Sequence, residues 1–74
     1  MAQLPGEISG ARFLRAMGRF GWRVVRQRGS HRILGREGYP GMLLVAFHQT
    51  IGRNSVRKVL RLAGIDEEAF LEQL

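Results

Sequence analysis

Two histidines, His31 and His48, are the side chains of this sequence best suited to general acid/base catalysis, because imidazole is the only group whose unperturbed pKa lies near neutral pH. His31 follows a Gly-Ser pair and has arginines on both sides, at Arg26, Arg28 and Arg32. Nearby positive charge disfavours the imidazolium form, so we expect a neutral His31 that can accept a proton at pH 7. The alternative interpretation, a surface histidine beside a turn, is the simpler one on the sequence alone.

His48 follows the most apolar segment of the chain and precedes Gln49-Thr50. We interpret it as a hydrogen-bonded residue at the end of a strand, with a secondary acid/base role as the alternative. Ser30 lies next to His31, but neighbouring residues of a strand point to opposite faces, which disfavours a Ser-His nucleophile pair. The sequence shows no paired carboxylates, no metal-ligand spacing and no phosphate-binding glycine-rich loop, so we expect neither a metal site nor a cofactor.

A row of cations offers a second kind of chemistry, the binding of phosphate. Arg53, Arg57 and Arg61 recur every four residues, with Lys58 beside them, and we call these four residues the helix cations because their spacing places them on the polar side of a helix. An ordinary solvated helix face is one interpretation. However, no acidic residue lies within this stretch, so the repulsion between like charges is uncompensated and an anionic partner is the better explanation. The backbone N–H groups of residues 52–55, at the start of this helix, form a further candidate phosphate site.

The net charge also indicates an anionic partner. The chain has 74 residues, twelve Lys and Arg against six Asp and Glu, and a formal charge of +6. Residues 1–61 hold all twelve basic residues and two acidic ones, a net +10, whereas residues 62–74 hold four acidic residues and no basic one. Such a field attracts polyanions, so nucleic acid is the first functional expectation. Eleven of the basic residues are Arg, which reflects either bidentate phosphate binding or a GC-rich genome.

Length and composition exclude several classes of protein. A chain of this size builds one modest core and no deep active site. It has no cysteine, and therefore neither a disulfide framework nor a thiolate metal cluster, which suits a reducing cytoplasm. The longest uninterrupted apolar run covers residues 42–47, far short of the roughly 20 residues of a membrane span, and residues 1–10 lack the apolar core of a signal peptide. We therefore expect a cytoplasmic protein without membrane contact.

Periodicity and turn residues predict the elements that position these side chains. Apolar residues at helical spacing predict a first helix over residues 10–20, between an N-cap at Ser9 and a stop at Gly21. Strands are predicted over residues 22–27, 31–36 and 42–48, joined by turns rich in Gly, Pro and Ser. A second helix is predicted to begin after a cap at Asn54 or Ser55 and to end at Gly64, and a short last helix is capped by Asp66.

The connections between the three strands are too short for parallel pairing, which needs a crossover of about a dozen or more residues. The sequence therefore predicts an α+β fold in a single domain, residues 1–74, with the order α-β-β-β-α. Both main helices cover one face of an antiparallel three-stranded sheet.

Three segments of the chain resemble one protein family. They are residues 21–31 (GWRVVRQRGSH), residues 45–48 (VAFH) and residues 51–65 (IGRNSVRKVLRLAGI). In this order they are similar to the HicA family of bacterial toxins, also called YcfA-like, and the resemblance extends from Leu4 to Leu71. Its most specific part is the Val-Val-Arg-Gln string followed by a basic residue and Gly-Ser-His. The chain departs from the family pattern at Ala46, where a proline is common, and in its longer turn over residues 37–41.

The resemblance implies a fold similar to double-stranded-RNA-binding domains and the activity of an mRNA interferase. It places the catalytic residue at His31, in the Gly-Ser-His motif, and implies a HicB-type antitoxin that binds the toxin and blocks its site. In such an endoribonuclease, His31 takes the proton of a ribose 2′-OH without a metal ion, and the general acid is His48, water or an arginine-polarised water. Arg26, Arg28 or Arg32 hold the phosphate, and the helix cations follow the RNA strand.

Two other functions fit the same residues. A non-catalytic RNA-binding module needs only the fold, the positive field and the helix cations. A protein-interaction domain needs only a positive surface that docks an acidic partner. We expect the free chain to be a monomer.

Overall fold

The computed structural model describes residues 2–74, which form five strands and three helices. In chain order they are β1 (Glu7–Ser9), α1 (Gly10–Arg19), β2 (Trp22–Arg28), β3 (His31–Arg36), β4 (Leu43–Ala46), β5 (Thr50–Gly52), α2 (Arg53–Ala63) and α3 (Glu67–Glu72). The predicted α+β class and the order of its main elements are confirmed, and β1 and β5 are additional. Among the described residues, no helix has the length and apolar character needed to cross a membrane.

The strands β2, β3 and β4 form the predicted antiparallel meander, with β3 in the centre. Side chains along each strand alternate between the two faces of the sheet. One face carries Trp22, Leu34, Leu43 and Val45, all of them buried. Because α1 packs against β2 and α2 against β4, both helices lie on this side, which we call the covered face. The opposite side is the open face.

The core fills the space between the helices and the covered face. Phe13 of α1 is fully buried, and its ring centroid lies 6.1 Å from those of both Phe47 and Phe70. The buried side chains of α2 are the residues whose spacing predicts this helix, namely Val56, Val59, Leu60 and Ala63. Aromatic side chains of α1, α3 and the segment after β4 therefore share the core with the aliphatic side chains of α2.

The pairing of β1 with β5 was not expected from the sequence, because each strand is only three residues long. These strands lead directly into α1 and α2. The first N–H of each helix donates to a carbonyl next to the other strand: Gly10 to Gln49 O (2.8 Å) and Arg53 to Gly6 O (2.9 Å). Since the first N–H groups of a helix have no partner within it, this small sheet stabilises both N-termini at once.

The ends of the helices follow the predicted capping residues, except at the start of α2. The Ser9 hydroxyl accepts from Arg12 N–H (3.1 Å), and the Asp66 carboxylate accepts from Ala69 N–H (3.2 Å). Gly64 follows α2 with a φ of 70°, a left-handed conformation that favours glycine. The cap predicted at Asn54 or Ser55 is wrong, since Gly52 is the N-cap residue. The hydrogen bond from Arg53 N–H to Gly6 O, next to β1, lets the helix begin at Arg53.

The start of α1 lies so close to Phe47 that a Cβ at Gly10 would overlap the phenyl ring. We expect Gly10→Ala to lower the free energy of unfolding by about 1–3 kcal/mol, because the ring must move within a packed core. Gly18→Ala is the matched control in the same helix, where nothing lies within 4 Å of the new Cβ. It should raise the free energy of unfolding by roughly 0.5–1 kcal/mol. Urea denaturation measures both changes, and effects of the same sign would contradict this packing.

Candidate functional site

The open face of the sheet carries His31. In β3, His31 and Ile33 point to this face while Leu34 points to the core. The strand registers place Arg28 opposite His31 on one side and Ala46 opposite it on the other. His31 is exposed, so its imidazole is accessible to a ligand that lies across the sheet.

The strand β2 contains one residue more than β3 can pair with. Val24 pairs with Leu34, and Arg26 pairs with Ile33, the adjacent residue of β3. Val25 lies between them without a partner, which makes it a β-bulge. Side chains of a regular strand alternate strictly between the two faces. Beyond the bulge, this alternation is shifted by one residue.

The bulge decides which side chains of β2 join His31. Counted in twos from the buried Trp22, a regular strand would direct Arg26 and Arg28 to the covered face. The bulge directs both to the open face, where Arg28 is the cross-strand partner of His31. The sequence does contain a sign of this shift. Strict alternation would put Trp22, Arg26 and Arg28 on one face, although an apolar residue and two charged residues suit opposite faces of a half-covered sheet.

A shallow depression of about 290 Å³ surrounds His31 on the open face. Its other lining residues are Arg26, Arg28, Ile33 and Leu44. Among residues 2–74, the salt bridge joins Arg57 and Glu67. Neither Arg26 nor Arg28 is therefore paired with a carboxylate, and both can bind an anionic ligand. Two guanidinium groups beside one imidazole combine phosphate binding with a group that can accept a proton. The arrangement can therefore bind a phosphodiester and take a proton from a hydroxyl group beside it.

Arg32, the third arginine near His31 in sequence, points to the covered face. Its Nη1 donates to the carbonyl oxygens of Ser30 (3.0 Å) and Phe47 (2.6 Å). Its guanidinium carbon lies 3.9 Å from the centroid of the Phe47 ring, a cation–π contact. These contacts tie the chain just before His31 to the chain just after β4, which is a structural role. Binding of RNA by Arg32 stays a prediction.

His48 is exposed in the loop between β4 and β5, beyond the end of the strand on which it was expected. It lines a separate depression of about 500 Å³ that extends from Ala46 to Ser55. His48 is not among the residues that surround His31. The candidate phosphate site at residues 52–55 borders the same depression, but the N–H of Arg53, the first of α2, is already bonded to Gly6 O.

The helix cations lie on α2, in the helical layer behind the covered face. Arg53 Nε donates to Leu4 O (2.8 Å), and Arg57 Nε lies 3.3 Å from a carboxylate oxygen of Glu67 in α3. The interpretation that these charges are uncompensated is therefore wrong at Arg57, because Glu67 reaches it from outside the stretch. Their binding of RNA stays a prediction, and the fold does not bring them to the face of His31.

The two layers of the fold differ in charge. Residues 22–46, which form the three-stranded sheet and its turns, hold five arginines and one acidic residue, a net +4. The rest of the chain holds seven basic and five acidic residues, a net +2. Most of the net charge therefore belongs to the layer that bears His31. Among residues 2–74, no three His, Asp or Glu side chains form a metal-binding group.

We expect Arg32→Lys to lower the free energy of unfolding by about 1–2 kcal/mol, because an ammonium cannot make both hydrogen bonds and also stack on Phe47. Arg28→Lys makes the same chemical change at an exposed position of the open face and should alter the free energy of unfolding by less than about 0.5 kcal/mol. Urea denaturation of the two variants measures the difference. An Arg32→Lys protein as stable as the wild type would refute the structural role of Arg32.

Comparison with known proteins identifies the family. The model of the family described as the HicA toxin of bacterial toxin-antitoxin matches residues 10–65, a range that includes the three-stranded sheet, His31 and α2. No curated protein and no solved structure matches the chain. Because the family match covers well over half of the sequence, the chain belongs to the HicA family of toxins of bacterial toxin-antitoxin systems.

Proposed function

We propose that the chain is the toxin of a type II toxin-antitoxin system and acts as an mRNA interferase, an endoribonuclease that cuts messenger RNA in the cytoplasm. The observation that carries this proposal is the depression in which the exposed His31 lies beside Arg26 and Arg28. One proton acceptor and two side chains that can bind phosphate lie together there, on the face of the sheet opposite the helices. A shallow site of this kind suits a polymer that lies across the sheet.

His31 is the general base of the proposed reaction. Its imidazole takes the proton of a ribose 2′-OH, and the 2′-oxygen attacks the adjacent phosphorus. The bond from phosphorus to the 5′-oxygen breaks as the bond to the 2′-oxygen forms. The products are a 2′,3′-cyclic phosphate and a free 5′-OH end, and no step of this transesterification uses a metal ion.

Arg26 and Arg28 stabilise the phosphate. Arg28 lies directly opposite His31 in the register, where the Cβ atoms of paired residues are about 4.5–5.5 Å apart. Arg26 lies opposite Ile33 on the same face. Both guanidinium groups can donate to the phosphate oxygens, whose negative charge grows in the transition state. The pair therefore supplies binding and electrostatic stabilisation together.

The leaving 5′-oxygen needs a proton. Because His48 lines a different depression from His31, we assign this proton to a water molecule of the open site rather than to His48. A single histidine then supplies the acid/base catalysis, which is worth about 10² to 10⁴ in rate. Cleavage should therefore be slow compared with nucleases that position two histidines.

A HicB-type antitoxin is the proposed protein partner. The open face combines positive charge with exposed apolar side chains: Val25, Met42 and Leu44 are 57%, 69% and 65% exposed. Such groups of apolar side chains often mark a protein interaction site. An antitoxin that places an acidic and apolar surface over this face would cover His31 and exclude RNA.

A non-catalytic RNA-binding module is the second candidate. The observation in its favour is that the depression around His31 contains one histidine, whereas acid/base catalysis is faster with two positioned groups. A binding module would use Arg26 and Arg28 in the same way and leave the RNA intact. Cleavage therefore separates the two functions.

His31→Ala should reduce the cleavage rate at least about 10²-fold, with little change in RNA affinity, because the imidazole acts on the proton rather than on the phosphate charge. His48→Ala should stay within a few-fold of the wild type. Purified chain is incubated with RNA and EDTA, and the product ends are mapped; 2′,3′-cyclic phosphate and 5′-OH ends are expected. Unchanged cleavage by His31→Ala would refute the catalytic assignment, and RNA binding without cleavage by the wild type would favour the binding module.

Two double variants test which surface holds the RNA. Arg26→Ala/Arg28→Ala should weaken binding and lower the slope of log affinity against log salt by about 1.4, or about 0.7 for each phosphate of a single strand that the protein no longer neutralises. Lys58→Ala/Arg61→Ala removes the same charge from α2 and should leave the slope nearly unchanged. Fluorescence anisotropy over a series of salt concentrations measures both slopes. The reverse result would place the RNA on the helix cations.

A further inference from the structure

A second depression lies at the opposite end of β3 from His31, where the sheet ends. Its volume is about 480 Å³, within the range of small-ligand pockets. It is lined by Arg23 and Gly35 of the sheet, and by Arg36, Glu37, Tyr39 and Met42 at and beyond the end of β3. The proposed reaction at His31 uses none of the polar residues among them.

One strand joins the two depressions. β3 runs from His31 to Arg36, about 17 Å at a rise near 3.3 Å per residue. Near its far end, Gly35 presents no side chain, and Val25 packs over it so closely that a Cβ at position 35 would lie 3.1 Å from Val25 Cγ1. Ile33 of the first depression and Gly35 of the second lie two residues apart on the same strand. An RNA strand that lies over His31 can reach the second depression without leaving the sheet.

Arg23 and Arg36 supply positive charge to the second depression from two sides. Arg23 pairs with Gly35 on the open face, whereas Arg36 pairs with Trp22 on the covered face and borders the depression at the end of the sheet. Both arginines are exposed, and the ion pair within residues 2–74 involves neither of them. Their guanidinium groups are therefore free to donate to phosphate oxygens in the bidentate manner that arginine favours. Glu37 adds one acceptor, which suits the exocyclic amino group of a base.

Tyr39 is held in place at the edge of this depression. Its ring centroid lies 4.9 Å from that of the buried Trp22, and its hydroxyl donates to Leu62 O (3.3 Å). The side chain is nevertheless 39% exposed. An aromatic ring fixed beside two arginines is a typical contact for an unpaired base.

We propose that this depression is a subsite for a nucleotide that lies several positions along the RNA from the cleaved bond. Arg23 and Arg36 bind the phosphates on its two sides, and Tyr39 contacts its base. This inference rests on the proposed function, because it takes the substrate to be a single RNA strand that crosses His31. The subsite contributes affinity and discriminates among RNA substrates, and it takes no part in the chemical step.

The double variant Arg23→Ala/Arg36→Ala tests the subsite with two substrates, a dinucleotide that reaches only His31 and an RNA of about 12 nucleotides. For the longer RNA we expect KM to rise about tenfold or more with kcat unchanged, because uniform binding is lost. For the dinucleotide we expect no change. Arg12→Ala/Arg15→Ala removes the same charge from exposed positions of α1 and is the matched control, whose KM should stay within about twofold of the wild type.

Three results would overturn the subsite: an unchanged KM for the longer RNA, a rise shared equally by the dinucleotide, or an equal rise in the α1 control. The last two would indicate a general loss of positive field instead. Failure of the proposed function looks different, because the wild-type chain then cleaves neither RNA. In that case, fluorescence anisotropy measures the affinity of each variant for a 2′-O-methyl RNA of the longer length, which has no free 2′-OH, and so tests the subsite without cleavage. A loss of affinity confined to Arg23→Ala/Arg36→Ala supports the subsite, and equal affinities overturn it.

Discussion

The unpaired residue Val25 determines the chemistry of the open face. In a regular β2, Arg26 and Arg28 would point to the covered face, away from His31. The bulge turns both to the open face and places their charges beside His31. Bulges commonly redirect side chains next to functional sites. Here one backbone irregularity decides which charged side chains of β2 lie beside His31.

The helices cover only one face of the sheet, and this is the second feature on which the site depends. The helices bury one face, while apolar side chains such as Leu44 remain exposed on the other. This exposure is costly for a free chain and is consistent with a surface kept for partners. Charge follows the same division, since the sheet holds most of the net charge and the Arg57–Glu67 pair neutralises part of the helical layer. An exposed ion pair adds little stability, but it reduces the positive field on the side away from His31.

The backbone around His31 is supported from the covered face. Arg32 binds the carbonyl oxygens of Ser30 and Phe47, and the Phe47 ring lies between this guanidinium and Gly10 of α1. The pairing of β1 with β5 holds the first residue of α1 in turn, through its bond to Gln49. A shallow site has no walls to orient its side chains, so contacts below the sheet must give His31 a defined position.

Local signals in the sequence are sufficient for the helices, their caps at Ser9 and Asp66, and the antiparallel meander, because helical spacing, capping chemistry and short connections act over a few residues. They also offer His31 and His48 as candidate acid/base residues, between which the family resemblance selects His31. They do not reveal β1 and β5, which pair across most of the chain. Nor do they show that Arg28 shares a face with His31 while Arg32 turns to the core. Those placements depend on strand register and on the bulge, which arise from pairing between distant segments rather than from proximity along the chain.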